Sequence, residues 1–535
     1  MLDLSLKNIL KKYFFKKSFF LLEMINIIPK QILITINIRL KNYIYFLLLI
    51  SIAKSQTLIS ADPSTYLINE HKLLVQNQIK SSLLLRPLFF SSDTSKLFIL
   101  ARNEFYYNDN YPNLENTGNL WIAKGLSLFS SINLVYASKN IIMIIEPFYF
   151  RTDNHMVNNI IRPAPNPSQN DIFNVLNDRR IHSSSPYKIY GLRESTLFVH
   201  HKKVGLGISN SNMWWGPGIH TSLTMTNNTS GFPYLVIGTI NEKKYKNIGL
   251  NIRYIFSQLS SNSGKPFYSA LVFSARIHSK PIISFGFSRN YISGGLPTDR
   301  NFTIWDAAKL PFEWLFIDTK IDKYPSDWEA HDRWDQTAAL YLTMEYPSIG
   351  LIIFIELGTD DHRQNWSDLR SQPDHNSANI IGMRKYGLFN NSNIFSGFEY
   401  ANIKKSYTNI FRGGGDWWRN SFYDYSTFDG RRWAAHSGTD SDDFYLYFGY
   451  NTKSWTIMPG FNYERHGIVF ADRPELKIEF RLDLRFNYNE YLIKIYYEHE
   501  LFNNVSFNED NKMRSNIISF GIQRDLSHLS NYIFN

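Results

Sequence analysis

The chain of 535 residues contains no cysteine, which excludes disulfide frameworks, Cys-ligated zinc and thiol nucleophiles. Its net charge of +10 is concentrated: residues 1–55 hold nine Lys/Arg against Asp3 and Glu23, leaving only about +3 on the remainder. A nucleic-acid-binding surface would keep its charge in the folded part, so that class is excluded as well. Aromatic residues make up 16%, with 33 Tyr and 40 Phe, and mean hydropathy is −0.28.

The first 55 residues read as a leader. Lys41 precedes an apolar run from Tyr43 to Ile52, followed by Ala53-Lys54-Ser55, with small residues suited to signal cleavage before Gln56. The stretch upstream is long for such a signal, and Met24 is an alternative start that would make residues 1–23 a miscalled extension. Residues 56–119 are assigned to a small periplasmic helical or plug element. Within it, Ser64 to Gln76 carries a helix signal, with Asp62 as cap, Pro63 at the first position, and Tyr66, Leu67, Leu73 and Leu74 in a crude 3.6-residue period. A frayed linker is the alternative there.

From about Leu120 onward the pattern is strand after strand. Ile248, Leu250, Ile252, Tyr254 and Phe256 alternate with Gly249, Asn251, Arg253 and Ser257, and Phe444, Leu446, Phe448 and Tyr450 alternate with their neighbours. The clearest case runs from Leu476 to Tyr488. Leu476, Ile478, Phe480, Leu482, Leu484, Phe486 and Tyr488 point one way, and Lys477, Glu479, Arg481, Asp483, Arg485 and Asn487 the other. A turn at Asn487–Glu490 leads into Ile493, Ile495 and Tyr497, and Ile518, Phe520 and Ile522 mark a last strand. One apolar and one charged face suit a strand crossing a bilayer with lipid outside and water inside. Open edges are forbidden in hydrocarbon, so such strands must close. The fold class expected for residues 120–535 is therefore an all-β, transmembrane antiparallel β-barrel of roughly 16–18 strands. Arg151–Pro186, Asp299–Asp335, Asp360–Asn376 and Arg412–Asp443 are too polar and aromatic for strands and read as long loops.

Several constellations invite chemistry. Trp214-Trp215-Gly216-Pro217-Gly218 with His220, Asn228 and Phe232-Pro233 offers flat rings beside polar groups, a surface on which sugars stack. An interfacial aromatic girdle plus turn is the competing reading. A second group, Trp417, Trp418, Arg419, Tyr423, Tyr425 and Arg431-Arg432-Trp433 with His436, suits an acidic glycan or a packed loop equally. Asp360, Asp361, His362, Asp368, Asp374 and His375 form a polar loop with cation ligands but without EF-hand or HExxH spacing, and a solvated loop is the plainer reading. Gly205-Leu206-Gly207 lacks the third glycine of a dinucleotide fingerprint, and no G-x-S-x-G elbow occurs. His200-His201 and His331-Asp332 are isolated and read as surface residues. No cofactor or metal is expected, and nothing assembles a catalytic site.

At Trp214-Trp215-Gly216-Pro217-Gly218 through Phe232-Pro233 and Gly238-Thr239 the chain resembles the capsule assembly Wzi family. Leu192-Arg193-Glu194 lies before this block, and Glu356, Asp360-Asp361 and Asp374-His375 after it. The span from Trp418 through Tyr423 to Gly438 and Asp442, then Tyr463-Glu464-Arg465, extends the likeness over most of residues 64–535. The resemblance implies a Gram-negative outer-membrane barrel of about 18 strands with a small periplasmic helical element. It also implies a lectin-like, non-enzymatic role in holding capsular polysaccharide at the cell surface. The expected partners are capsular or other surface polysaccharide and outer-membrane lipid, with no nucleic acid, and the expected state is a monomer. Two departures stand out: the region 64–115 is short for the family, and His436 occupies the place of a compact Gly-rich turn. The competing function is an outer-membrane diffusion porin for sugars or anions. A hydrolase would need a nucleophile with its base, which the sequence does not show.

Overall fold

The computed structural model describes residues 58–527, without 78, 113–114, 158–184, 261–263, 297–301, 316–333, 361–369, 407–414, 416, 419, 421–422 and 424–425. These residues form a closed antiparallel barrel of 18 strands, in which Lys512–Asp525 pairs with Lys96–Asn108 to shut the ring. The ring begins at Lys96, earlier than the boundary near residue 120 that alternation suggests. The opening run Leu97-Phe98-Ile99-Leu100 is apolar on both faces because Phe98 packs on the interior core, so its period of two is hidden.

Alternation sorts the side chains as lipid and lumen require. Ile248, Leu250 and Ile252 are exposed, whereas Asn251 and Arg253 are buried. In Glu475–Tyr488, Phe480 is 49% exposed and Glu479 is 0% exposed. A contiguous exposed apolar belt of this kind marks a surface made for lipid. At the rim, Trp455 packs on Phe486 at 4.4 Å with the rings tilted, and Phe486 stacks on Tyr488, which suits the aromatic girdle of such barrels. Among the described residues no helix is long and apolar enough to cross a membrane.

The two ends of the barrel differ. Short connections at 138–140, 202–203, 452–454 and 489–490 close one end, while the strands flanking the four long intervals expected from composition end at the other. Asn489, at φ +51°, takes the left-handed position in the two-residue turn joining Glu475–Tyr488 to Tyr491–Asn503. The expected helix is present as Tyr66–Leu74, preceded by a 3-10 turn at Pro63–Thr65 that Asp62 caps through the Ser64 N–H at 2.9 Å. It lies against the inner wall: Glu70 pairs with Arg384 at 2.7 Å and accepts the Tyr386 hydroxyl at 2.7 Å. Farther along, the carbonyl of Pro87 accepts from Arg253 at 2.7 Å, and the N–H of Ser82 donates to Glu242 at 2.8 Å. The largest hydrophobic cluster joins Leu85 and Trp215 to wall residues such as Tyr341, Ile380 and Tyr447. The core of this molecule is inside the barrel.

Candidate functional site

The double tryptophan begins where a strand stops. After Ser209 the chain leaves the wall, and it rejoins the wall at Tyr234. Trp214-Trp215 form a short ladder with Leu85-Arg86. Gly216 sits at φ +109°, and a β-carbon there would lie 2.6 Å from Glu356 Oε2. At Gly218 a β-carbon would lie 2.0 Å from the Thr221 carbonyl. Both glycines serve close packing against neighbouring groups, not an exposed turn.

Two wall carboxylates fasten the adjoining stretch from Ile219 to Leu223. Glu399 accepts the backbone N–H groups of Ile219 at 2.9 Å, His220 at 3.2 Å and Thr221 at 2.8 Å. Glu356 accepts the N–H of Leu223 at 2.8 Å and the Ser222 hydroxyl at 3.2 Å. A buried backbone donor left without a partner costs about 1–3 kcal/mol, so these acceptors let the loop lie inside the barrel. Arg86 is sandwiched between the rings of Tyr66 at 4.2 Å and Trp214 at 5.0 Å, and it donates to the Gly218 carbonyl at 3.2 Å. Burial pushes its guanidinium down to about 10.

The second aromatic loop packs onto the first. Trp417 and Trp418 meet edge to face at 5.2 Å, and Arg432 covers Trp418 at 4.7 Å. Arg431 donates to the Thr117 hydroxyl at 3.0 Å and to the carbonyls of Leu120 and Gly118. Asn228 donates to the Arg432 carbonyl at 3.0 Å, and Tyr423 accepts the N–H of Gly294 at 3.1 Å. The loops converge on Asp443, whose Oδ2 lies 3.2 Å from His220 Nε2 and 3.3 Å from His436 Nε2. His220 stacks on Tyr445 at 4.4 Å. For His436, burial opposes protonation, but the hydrogen bond to Asp443 and the charges of Glu464 and Asp443 outweigh it and hold its pKa above the ordinary imidazole value.

The two aromatic loops thus meet, but not as an open platform. Trp214, Trp215, His220, Asn228, Trp417, Trp418, Tyr423 and Arg431 are all at most 2% exposed. The expectation of rings presented to solvent is corrected: wall carboxylates draw the first loop inward, and its indoles become core. Arg419 and Asp361 lie outside the described residues. Asp360 accepts the Trp418 N–H, so it serves packing. His375 is buried and Asp374 half-exposed, and neither belongs to a described group with metal-ligand spacing. The described groups that have such spacing are Glu115–His220–His436 and Glu115–Glu479–Glu500. In both, Lys477 and Arg481 already set positive charge against Glu115. His200, expected at the surface, is buried on the lumen side. Sequence reasoning missed Glu399, Asp443 and Glu115 as partners of the loops, because single acids carry no local pattern.

A cavity of about 230 Å³ remains beside the packed loops. Arg102, Glu104, Asp483, Arg485, Lys494 and Glu498 are among its lining residues.

No family model and no curated protein matches this sequence. Among solved structures the barrel is similar to Wzi of Escherichia coli, described as an outer-membrane protein involved in group 1 capsule assembly and a carbohydrate-binding β-barrel. The TM-score is 0.56 at 12% identity, covering 88% of this chain and 99% of that one. OprD of Pseudomonas aeruginosa gives a TM-score of 0.40 at 8% identity over 82% of this chain and 97% of that one. OccAB4 of Acinetobacter baumannii gives 0.38 at 10% identity, over 80% and 98%. At these identities the likeness concerns the fold: an outer-membrane-type β-barrel.

Proposed function

We propose that this chain is a non-catalytic barrel of the Gram-negative outer membrane that binds polysaccharide at the cell surface and assists capsule assembly and attachment. One observation carries the reading: the lumen holds a hydrophobic core built from the chain's own N-terminal segment and inward loops. A diffusion porin keeps that space for water. The likeness to a barrel described as carbohydrate-binding agrees with it. In this reading the buried tryptophans frame the loops, and the glycan meets the long-loop end.

The charged cavity of about 230 Å³ favours the competing diffusion reading. Refolded full-length barrel, immobilised and exposed to capsular polysaccharide from the source bacterium, separates the two. Saturable binding that needs the folded barrel is expected. Absence of binding, together with stable ion conductance in planar bilayers, would favour the porin.

A further inference from the structure

Two neighbouring wall strands are too short for a bilayer. Val204–Ser209 and Tyr234–Thr239 have 6 residues each, beside Tyr187–His201 with 15 and Ile248–Gln258 with 11. A tilted strand needs about 9–11 residues to cross the hydrocarbon. Pairing of Tyr187–His201 with Val204–Ser209 begins only at Thr196. Among the described residues, no strand covers that edge of Tyr187–Ser195. Asn210 covers part of it, accepting the Ser195 N–H at 2.8 Å and donating to the Leu192 carbonyl at 2.8 Å. An open strand edge is costly against lipid tails, so an edge of this kind is a place where a ligand with polar groups can dock.

A cavity of about 400 Å³ occupies the notch. Phe148 and Glu146, both buried on the lumen side, pair with Gly191 and Arg193. Tyr190 and Leu192 therefore point outward, and they are 81% and 56% exposed. Tyr190 and Leu192 line the cavity from the outward face, and Arg193, Asn210, Asn212 and Asp429 add polar groups to its lining. The pocket runs along the edge of this strand, where the consecutive residues Ile189 to Glu194 all line it, and so borders both of its faces. Its outer lip continues the lipid-facing row of Leu197 and Val199, while the rest of its lining offers amides, a carboxylate and a guanidinium.

We propose that this notch binds a glycolipid of the outer leaflet, with acyl chains along Tyr190 and Leu192 and the sugar head group reaching inward to Asn210, Asn212 and Asp429. The inference rests on the glycan-binding reading and adds the source of the sugar. A water-soluble polysaccharide has no use for an apolar lip at membrane depth. The glycolipid supplies both halves.

The test is native mass spectrometry of the full-length barrel in detergent, with rough-type lipopolysaccharide and its deacylated core oligosaccharide as separate probes. Lipopolysaccharide should be retained at one per chain, at least about tenfold more tightly than the oligosaccharide. Tyr190→Ala and Leu192→Ser should each weaken retention about tenfold, while Leu197→Ser, on the same outer face away from the notch, leaves it unchanged. All three side chains are exposed, and unboiled gel mobility verifies that each variant folds. Equal loss in Leu192→Ser and Leu197→Ser would mean ordinary annular lipid and overturn the proposal, as would no retention at all. Oligosaccharide bound as tightly as lipopolysaccharide would overturn the lipid requirement while leaving the glycan reading intact.

Discussion

Glu399 stands on the wall strand Ile394–Ile403, yet its carboxylate holds the turn of a loop some 180 residues earlier. Glu399→Gln keeps the shape but removes the charge and one of the two acceptor oxygens that together serve three N–H groups. A loss of about 1–3 kcal/mol is expected, read as a lower urea midpoint with new protease cleavage between residues 210 and 233. An unchanged midpoint would mean the loop is held elsewhere. The alternation at 476–488 gave facing but not partnership. Leu482→Arg should cost about 2–4 kcal/mol if it sits near the bilayer midplane, as lipid facing demands. From alternation alone Arg481→Leu is mild. In the structure Arg481 pairs with Glu479 and Glu115 and covers Tyr445 at 4.9 Å. Losing those charged hydrogen bonds, with Lys477 left as the cation against both carboxylates, raises its expected cost to about 1–3 kcal/mol, checked by the same folding titration. His436 faces Asp443, Glu115, Glu464, Arg481 and His220. Its folded pKa is raised, so its contribution is complete below the ordinary imidazole value and fades as pH climbs through the raised one. The stability gap between wild type and His436→Gln should therefore be full below about pH 6.5 and shrink as pH rises above the ordinary imidazole range. A gap independent of pH would show that the imidazolium is not what Asp443 holds.

At the scale of elements, the helix at 66–74 was legible because cap, proline and period agreed, and the long strands because one face had to meet lipid. Lys96–Asn108 was not, since its first turn of chain is apolar on both sides. The two six-residue strands were not either: Gly205-Leu206-Gly207 reads as an ordinary strand, and nothing local says that it stops at Ser209. The helix gives its own test. Glu70→Ala leaves Arg384 buried without its carboxylate, which costs about 3–5 kcal/mol. The helix should then release from the wall, and the variant should conduct ions in planar bilayers where wild type is silent. Equal conductance would mean that the helix does not close the lumen.

For the whole molecule, period-two alternation fixes which face meets lipid but not what fills the other. A lumen face of Arg, Glu and Asn fits water, and it fits the backbone of the chain's own loops just as well. That choice depends on residues far apart in sequence, such as Glu399 with Ile219 and Asp443 with His436. The barrel was therefore readable, and a plug was one of two readings for residues 56–119, while the inward packing of the loops and the burial of the double tryptophan were not. If the packed barrel retains polysaccharide, it acts after export. Capsule partition in a strain lacking the protein is the most direct measurement. Capsular polysaccharide should still be made but move from the cell pellet into the medium, with uptake of small sugars unchanged. Capsule remaining on the cells while sugar uptake falls would contradict it.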